Sequence, residues 1–184
     1  QESQALSFLQ RSPSLFLNLW MAATKCMMRA GAGVAGSGFV TGAGGNGFEV
    51  GIEVAGLPGR WFTAPATPPV GTLEGDTPAS RALPAIGDSA VVEGLGLGAM
   101  ALPLSPGQTK NLGPYMPQDS EARRAAITLG CHPSFGGLDA PLGLSARAIV
   151  SEKAAPVVGL GILDRMGELG RLGGGVFEMP LAPF

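Results

Sequence analysis

Charge is the scarcest property of this chain. Asp, Glu, Lys and Arg make up 14% of its 184 residues, against roughly 25% in an average domain. With 12 basic and 14 acidic residues the net charge is −2. No basic excess exists to neutralise a phosphate backbone, so nucleic acid is excluded as a partner. Cysteine is almost absent. Cys26 and Cys131 stand alone, with no secretory signal in view, and read as reduced thiols of a cytoplasmic protein. One histidine, His132, and two distant cysteines do not make a metal ligand set, so no metal and no cofactor are expected. Nor does any apolar run reach the roughly 18 residues of a membrane span. The stretch "LFLNLWMAA" is too short, and Asn18 interrupts it.

Glycine, proline and aliphatic residues fill the space that charge leaves. The 30 glycines and 16 prolines are a quarter of the chain, and hydrophobic residues are 45% of it. The apolar residues come in patterned blocks, which argues against disorder. The length suits one sizeable core. A surface so poor in charge points to burial against further chain or other subunits. The chain opens at Gln1 inside a helical pattern, and it is read as the C-terminal part of a larger protein, partnered by other protein subunits or in a homo-oligomer.

A short helix over Ala5 to Gln10 is followed by Ser12-Pro13, which suits the N-cap and first turn of a second helix from Ser14 to about Arg29. Two adjacent apolar stripes on that helix, one through Leu15, Leu19 and Cys26 and one through Phe16, Trp20 and Met27, predict that it is buried. Next, Val50, Ile52 and Val54 alternate with Glu49, Gly51 and Glu53 as a strand. "SGFVT" and "RWFTA" read as its antiparallel partners, with Asn46-Gly47 as the hairpin turn. Pro65 to Pro84 reads as a long loop. "GDSAVVEG" can cap a short helix, and "DSEARRAAITLG" is a helix with Ser120 as N-cap and Arg123 and Arg124 exposed. A strand is expected at Pro156 to Leu163, then a glycine-rich turn, then a last strand at Val176 to Met179. The order predicts an α+β fold, an antiparallel sheet with packed helices and glycine-rich turns. Residues 1–34 are read as a helical segment and 35–184 as an α+β domain.

Several stretches carry possible chemistry, each beside a structural alternative. "GAGGNG", ending at Asn46 and Gly47, can offer main-chain N–H groups to an anion, but it lacks the Lys-Ser/Thr of a phosphate loop and does not match GxGxxG. A plain hairpin explains it first. Arg171 beside Gly173, Gly174 and Gly175 suits a carboxylate or phosphate, a forked donor next to bare backbone. The alternative is two strands approaching too closely for side chains. Asp88, Ser89 and Glu93 can face a ligand or simply cap a helix. A Ser-His-Asp set with His132 lacks the GxSxG elbow, and His132 reads first as a capping or core residue. Trp61 and Phe62 read as core before stacking platform.

The ordered set "FLNLWMAATKCMM", "GSGFVTGAGGNGFEVGIEVAGLPGRWFTAPA", "GDSAVVEGLGLGAMA", "ITLGCHPSF" and "PVVGLGILDRMGELGRLGGGVFEMPLAPF" resembles the YahG/YlbE-like family of cytoplasmic bacterial proteins. The resemblance covers nearly the whole chain, and family members are considerably longer. One branch of the family is the AllG subunit of oxamate carbamoyltransferase, which interconverts oxalurate plus phosphate with oxamate plus carbamoyl phosphate in allantoin degradation. The resemblance therefore implies a transferase subunit acting on a small anionic metabolite without a metal. Its alternative is a non-catalytic assembly subunit. The family's Asn-Gly, Gly-Asp-Ser and Gly-x-Gly motifs match Asn46-Gly47, Gly87-Asp88-Ser89 and Gly173–Gly175. The expected catalytic residues are Asp88, Ser89 and Glu93. The expected substrate-binding residues are Asn46, Gly47, Arg171, Gly173, Gly174 and Gly175.

Overall fold

Two helices lead the chain, α1 (Glu2–Gln10) and α2 (Leu15–Ala30). The computed structural model describes residues 2–12, 15–87, 89–137 and 140–184. Pro13 and Ser14, expected to start α2, and Asp88 lie outside the described residues. The expected burial of α2 is not met. Only Thr24 and Met28 are buried, while Phe16, Leu17 and Leu19 are exposed. The helix packs against β1 (Val40–Asn46) and α3 (Ala90–Gly94), with Trp20 and Met27 of its second stripe against the core and Leu19 and Cys26 of its first stripe exposed.

The expected three-stranded antiparallel unit is present and gains a fourth strand. β2 (Glu49–Val54), β3 (Trp61–Pro65) and β5 (Ile86–Gly87) join β1 in the order β3-β2-β1-β5. Alternation sets the faces. Cross-strand partners share a face, so Ala43, Ile52 and Phe62 point one way and Glu53 and Trp61 the other. A register shift between Val40 and Gly42 inserts one residue, and this bulge brings Val40 onto the same face as Ile52. Val40 and Ile52 are fully buried. The opposite face carries Gly42, Gly44 and Gly51 and is bare along its middle.

A second sheet, β4-β9-β8, is built from β4 (Val70–Leu73), β8 (Val157–Leu163) and β9 (Arg171–Glu178). Two expectations are corrected here. β4 lies inside the stretch read as a loop. The glycine-rich "turn" Gly173 to Gly175 is the middle of β9, paired with β4 on one side and β8 on the other. The reason is close approach: a Cβ on Gly173 or Gly175 would strike the carbonyl oxygens of Thr72 and Val70.

Among the remaining described elements are α4 (Pro106–Leu112), α5 (Ser120–Ile127), α6 (Ala146–Glu152) and the short pair β6 (Thr128–Gly130) and β7 (Leu142–Leu144). The N-cap of α5 is Asp119, one residue before the expected Ser120. Arg124, expected exposed, is buried, with its Nε and Nη2 unpartnered. Arg123 spends its guanidinium on Glu178 at 2.6 Å and on the carbonyl of Ala155 at 3.0 Å. The core joins both sheets, with Met28, Val40, Ile52, Val91, Val158, Leu160 and Phe177 in one cluster. Among the described residues, no helix is long and apolar enough to cross a membrane.

Candidate functional site

The hairpin tip resolves into internal bonds. Asn46 Oδ1 accepts from the amides of Phe48 (3.0 Å) and Glu49 (2.8 Å), and the Gly47 amide donates to Ala85 O at 3.1 Å. Gly47 takes φ +86°, which suits glycine at a turn. The tip amides are thus spent inside the protein. The β1–β5 pairing then aligns Asn46 with Ile86 and Gly45 with Gly87. It carries the root of the Gly-Asp-Ser segment to the side of the glycine strand, bringing together two motifs that lie 40 residues apart.

A groove of about 810 Å³ opens between α2 and this strand pair, lined by Asn18, Lys25, Gly44, Asn46, Trp61 and Gly87 among others. Lys25 is its single charged lining residue among those described. Asn18 and Lys25 sit two helical turns apart on α2 and so share a face. Lys25 Nζ donates to Thr41 O at 2.9 Å and lies 6.0 Å from the centre of the Trp61 ring. Burial lowers its pKa, Glu53 partly restores it, and Arg29 lowers it further. The ammonium reaches this position because residue 42 is glycine: a Cβ there would sit 2.9 Å from Nζ. Trp61, expected in the core, is half exposed as a wall of the groove.

The remaining expected site residues are placed elsewhere. Arg171 lies over Gly161 and Gly174 and pairs with Glu74 at 2.7 Å. With Ser89 it lines a separate, mainly apolar cavity of about 650 Å³ that also includes Trp20, Leu97 and Leu112. Ser89 Oγ approaches Gly159 O at 3.4 Å and makes no side-chain cap for α3. Glu93 is buried, and both of its carboxyl oxygens accept from the Met100 amide (3.2 and 3.3 Å). Burial pushes its pKa up to about 8 against the opposing pull of the Met100 and Ala99 amides and of Arg124. It lines neither cavity. A Cβ on Gly173 or Gly175 would meet the β4 backbone, while the main chain of Gly174 and Gly175 lines the second cavity with Arg171 and Ser89. His132 is exposed, and its Nδ1 accepts from the Ser134 amide at 3.1 Å, capping the short helix Pro133–Phe135. Among the described residues no cluster of three His, Cys, Asp or Glu is placed to hold a metal.

Lys25 and Asn18 escaped the sequence reading because α2 was parsed for its apolar stripes. Their signal was present: within "LFLNLWMAATKCMM" the amide and the amine are seven residues apart in an apolar helix. A buried helix has no use for a one-sided polar pair, whereas a helix flanking a groove does.

Comparison with known proteins gives a consistent picture. The family described as oxamate carbamoyltransferase subunit AllG matches residues 1–89. The Escherichia coli K12 oxamate carbamoyltransferase subunit AllG is 35% identical over 99% of this chain and 45% of its own length. The uncharacterised protein YahG of the same strain is 31% identical over the whole chain and 40% of its own length. A crystal structure of a conserved protein of unknown function from Enterococcus faecalis V583 superposes with a TM-score of 0.81, at 27% identity, over 97% of this chain and 44% of that one. The chain thus spans less than half the length of the curated relatives it matches.

Proposed function

We propose that this chain, which is similar to AllG and YahG, is part of a carbamoyltransferase-like enzyme acting on small carboxylate or carbamoyl metabolites of the oxamate and oxalurate type. In the transfer, the carbamoyl carbon leaves the oxamate nitrogen of oxalurate for a phosphate oxygen, and the released nitrogen takes up a proton. Such chemistry rests on positioning and on stabilising charge. The observation that carries the reading is the β1–β5 pairing, which sets Asn46 and Gly87 in one groove. Asp88 follows Gly87 directly in the sequence, and its proposed role is to orient the nitrogen that gains the proton. Ser89, Arg171 and Glu93 belong to other surroundings and are given no role in this groove.

The test is formation of carbamoyl phosphate from oxalurate and phosphate by the full chain together with the subunits it co-purifies with. Transfer that falls by at least about 100-fold in Asp88→Asn, the scale of a lost proton-handling group, supports the reading. Absent transfer, or transfer unchanged in that variant, removes it.

A second reading, a non-catalytic assembly subunit, is favoured by one specific feature. Leu6, Phe8, Phe16 and Leu19 on α1 and α2 are exposed, large apolar side chains of the kind that line protein–protein contact surfaces. Transfer by the partner subunits at an unchanged rate in the absence of this chain would favour that reading over the first.

A further inference from the structure

We infer that Lys25 is the anion anchor of the groove, holding the carboxylate of a small planar ligand against the bare face of β1 and β2, with Trp61 as the wall. This deepens the proposed function by naming the group that binds and rests on it for the substrate class. The geometry is specific. An ammonium has three donors; Lys25 gives one to Thr41 O at 2.9 Å and keeps two. Among the described residues no carboxylate lies within ion-pair distance of Nζ. Glu53 is the acid that acts on it; it is buried, its Oε1 accepts from the Gly59 amide, and its Oε2 faces the same Gly42 notch as Nζ, 3.3 Å from where a Cβ would stand. The groove has no other charge along its described lining, positive or negative. Along the described lining a carboxylate meets one charge, the Lys25 ammonium, with the Glu53 carboxylate beside that ammonium on the same face of the sheet.

Shape adds selectivity. Gly44 presents open space, the nearest heavy atom to a Cβ built there being Gly87 O at 3.7 Å. A flat molecule can lie on that floor where any larger side chain would stand. The Gly42 notch does a separate job. It lets the amine pass close to the sheet beside Glu53, so that a Cβ at position 42 would press on Lys25 Nζ first and on the Glu53 side chain next. Half-burial of the amine also strips competing water from the contact and strengthens it.

The experiment uses tryptophan emission. The chain has two tryptophans, Trp20 and Trp61, and Trp20 lines the other cavity. In the full chain carrying Trp20→Phe, titration with oxamate is expected to change Trp61 emission saturably, with acetate as the simplest carboxylate probe beside it. Lys25→Met is expected to weaken both by at least about 10-fold, the scale of one charge-assisted hydrogen bond. Gly42→Ala, which keeps the charge and displaces it, is expected to act in the same direction by about 3-fold or more. Arg60→Ala, which removes an exposed cation stacked on Phe62, serves as the charge control and leaves binding within 2-fold. Binding by Lys25→Met equal to that of the parent, or no Trp61 response to either carboxylate, overturns the inference. Its fate is separable from that of the proposed function. Lys25-dependent binding with no carbamoyl transfer removes the reaction and keeps the anchor; transfer and binding untouched in Lys25→Met remove the anchor and keep the reaction.

Discussion

Two glycine-rich strands of this protein look alike in sequence and differ in what they face. β1 carries Gly42, Gly44 and Gly45; β9 carries Gly173, Gly174 and Gly175. In β9, residues 173 and 175 are glycine because the β4 backbone occupies the place of their side chains. In β1, Gly45 serves packing in the same way, with a Cβ there only 2.6 Å from Ala85 O, but Gly42 abuts the end of a flexible lysine and Gly44 abuts almost nothing. A run of glycines therefore signals that something comes close to the backbone. Whether that is another strand or open space for a ligand is decided by tertiary packing.

That contrast can be broken by substitution. Gly173→Val puts side-chain atoms into the β4 backbone, which cannot give way as a flexible side chain can. It is expected to cost about 3 kcal/mol, the upper end of overpacking penalties, read as a lower denaturant midpoint. A loss under about 0.5 kcal/mol would mean that β4 and β9 are less tightly joined than described.

Glu93 extends the contrast from shape to charge. Like the β9 glycines it serves the interior, where Lys25 serves the groove. Its folded pKa is raised from 4.5 to about 8, so the fold prefers the protonated acid. The stability this contributes is complete below about pH 4.5 and is lost as pH climbs towards 8, with a slope approaching about 1.4 kcal/mol per pH unit. Glu93→Gln, neutral throughout, is expected to flatten that slope in pH-dependent urea unfolding. An unchanged slope would assign the titration to another group.

The groove side predicts smaller energies. Lys25→Met is expected to weaken oxamate binding at least about 10-fold, or about 1.4 kcal/mol, while leaving the melting temperature nearly unchanged, as calorimetric titration and thermal scans would show. Gly44→Ala should be the mildest, within about 0.5 kcal/mol in stability, because an added methyl meets only ordinary van der Waals contact. A large loss of stability at Gly44 would place it with the β9 glycines and erase the distinction.

Much of the fold was legible in the sequence where period and turn chemistry agreed. The β1–β2–β3 unit was marked by Val50, Ile52 and Val54 and by Asn46-Gly47; β8 was marked by its aliphatic run. β4 was not legible because Val-Gly-Thr-Leu is short, lies among prolines, and finds its partner about a hundred residues later. β9 was misread because glycine's local preference for turns was followed where a distant backbone required glycine in a strand. Arg124 was misread because helix patterning alone does not show that α5 packs against α6.

Of the candidate site, the meeting of Asn46 with the Gly87 segment was legible only as two separate motifs, since strand pairing joins them. Lys25 was hidden by the apolar residues around it. Arg171 stood out in sequence for its glycine neighbours, yet its guanidinium is matched to Glu74 across the sheet, a pairing that no local pattern reveals.

The most direct test of the groove is a structure of the full chain with oxamate bound. The account predicts the ligand flat against Gly44 beside Trp61, with its carboxylate about 3 Å from Lys25 Nζ. A ligand held by Arg171 over Gly161 and Gly174, with the Lys25 groove empty, would contradict it.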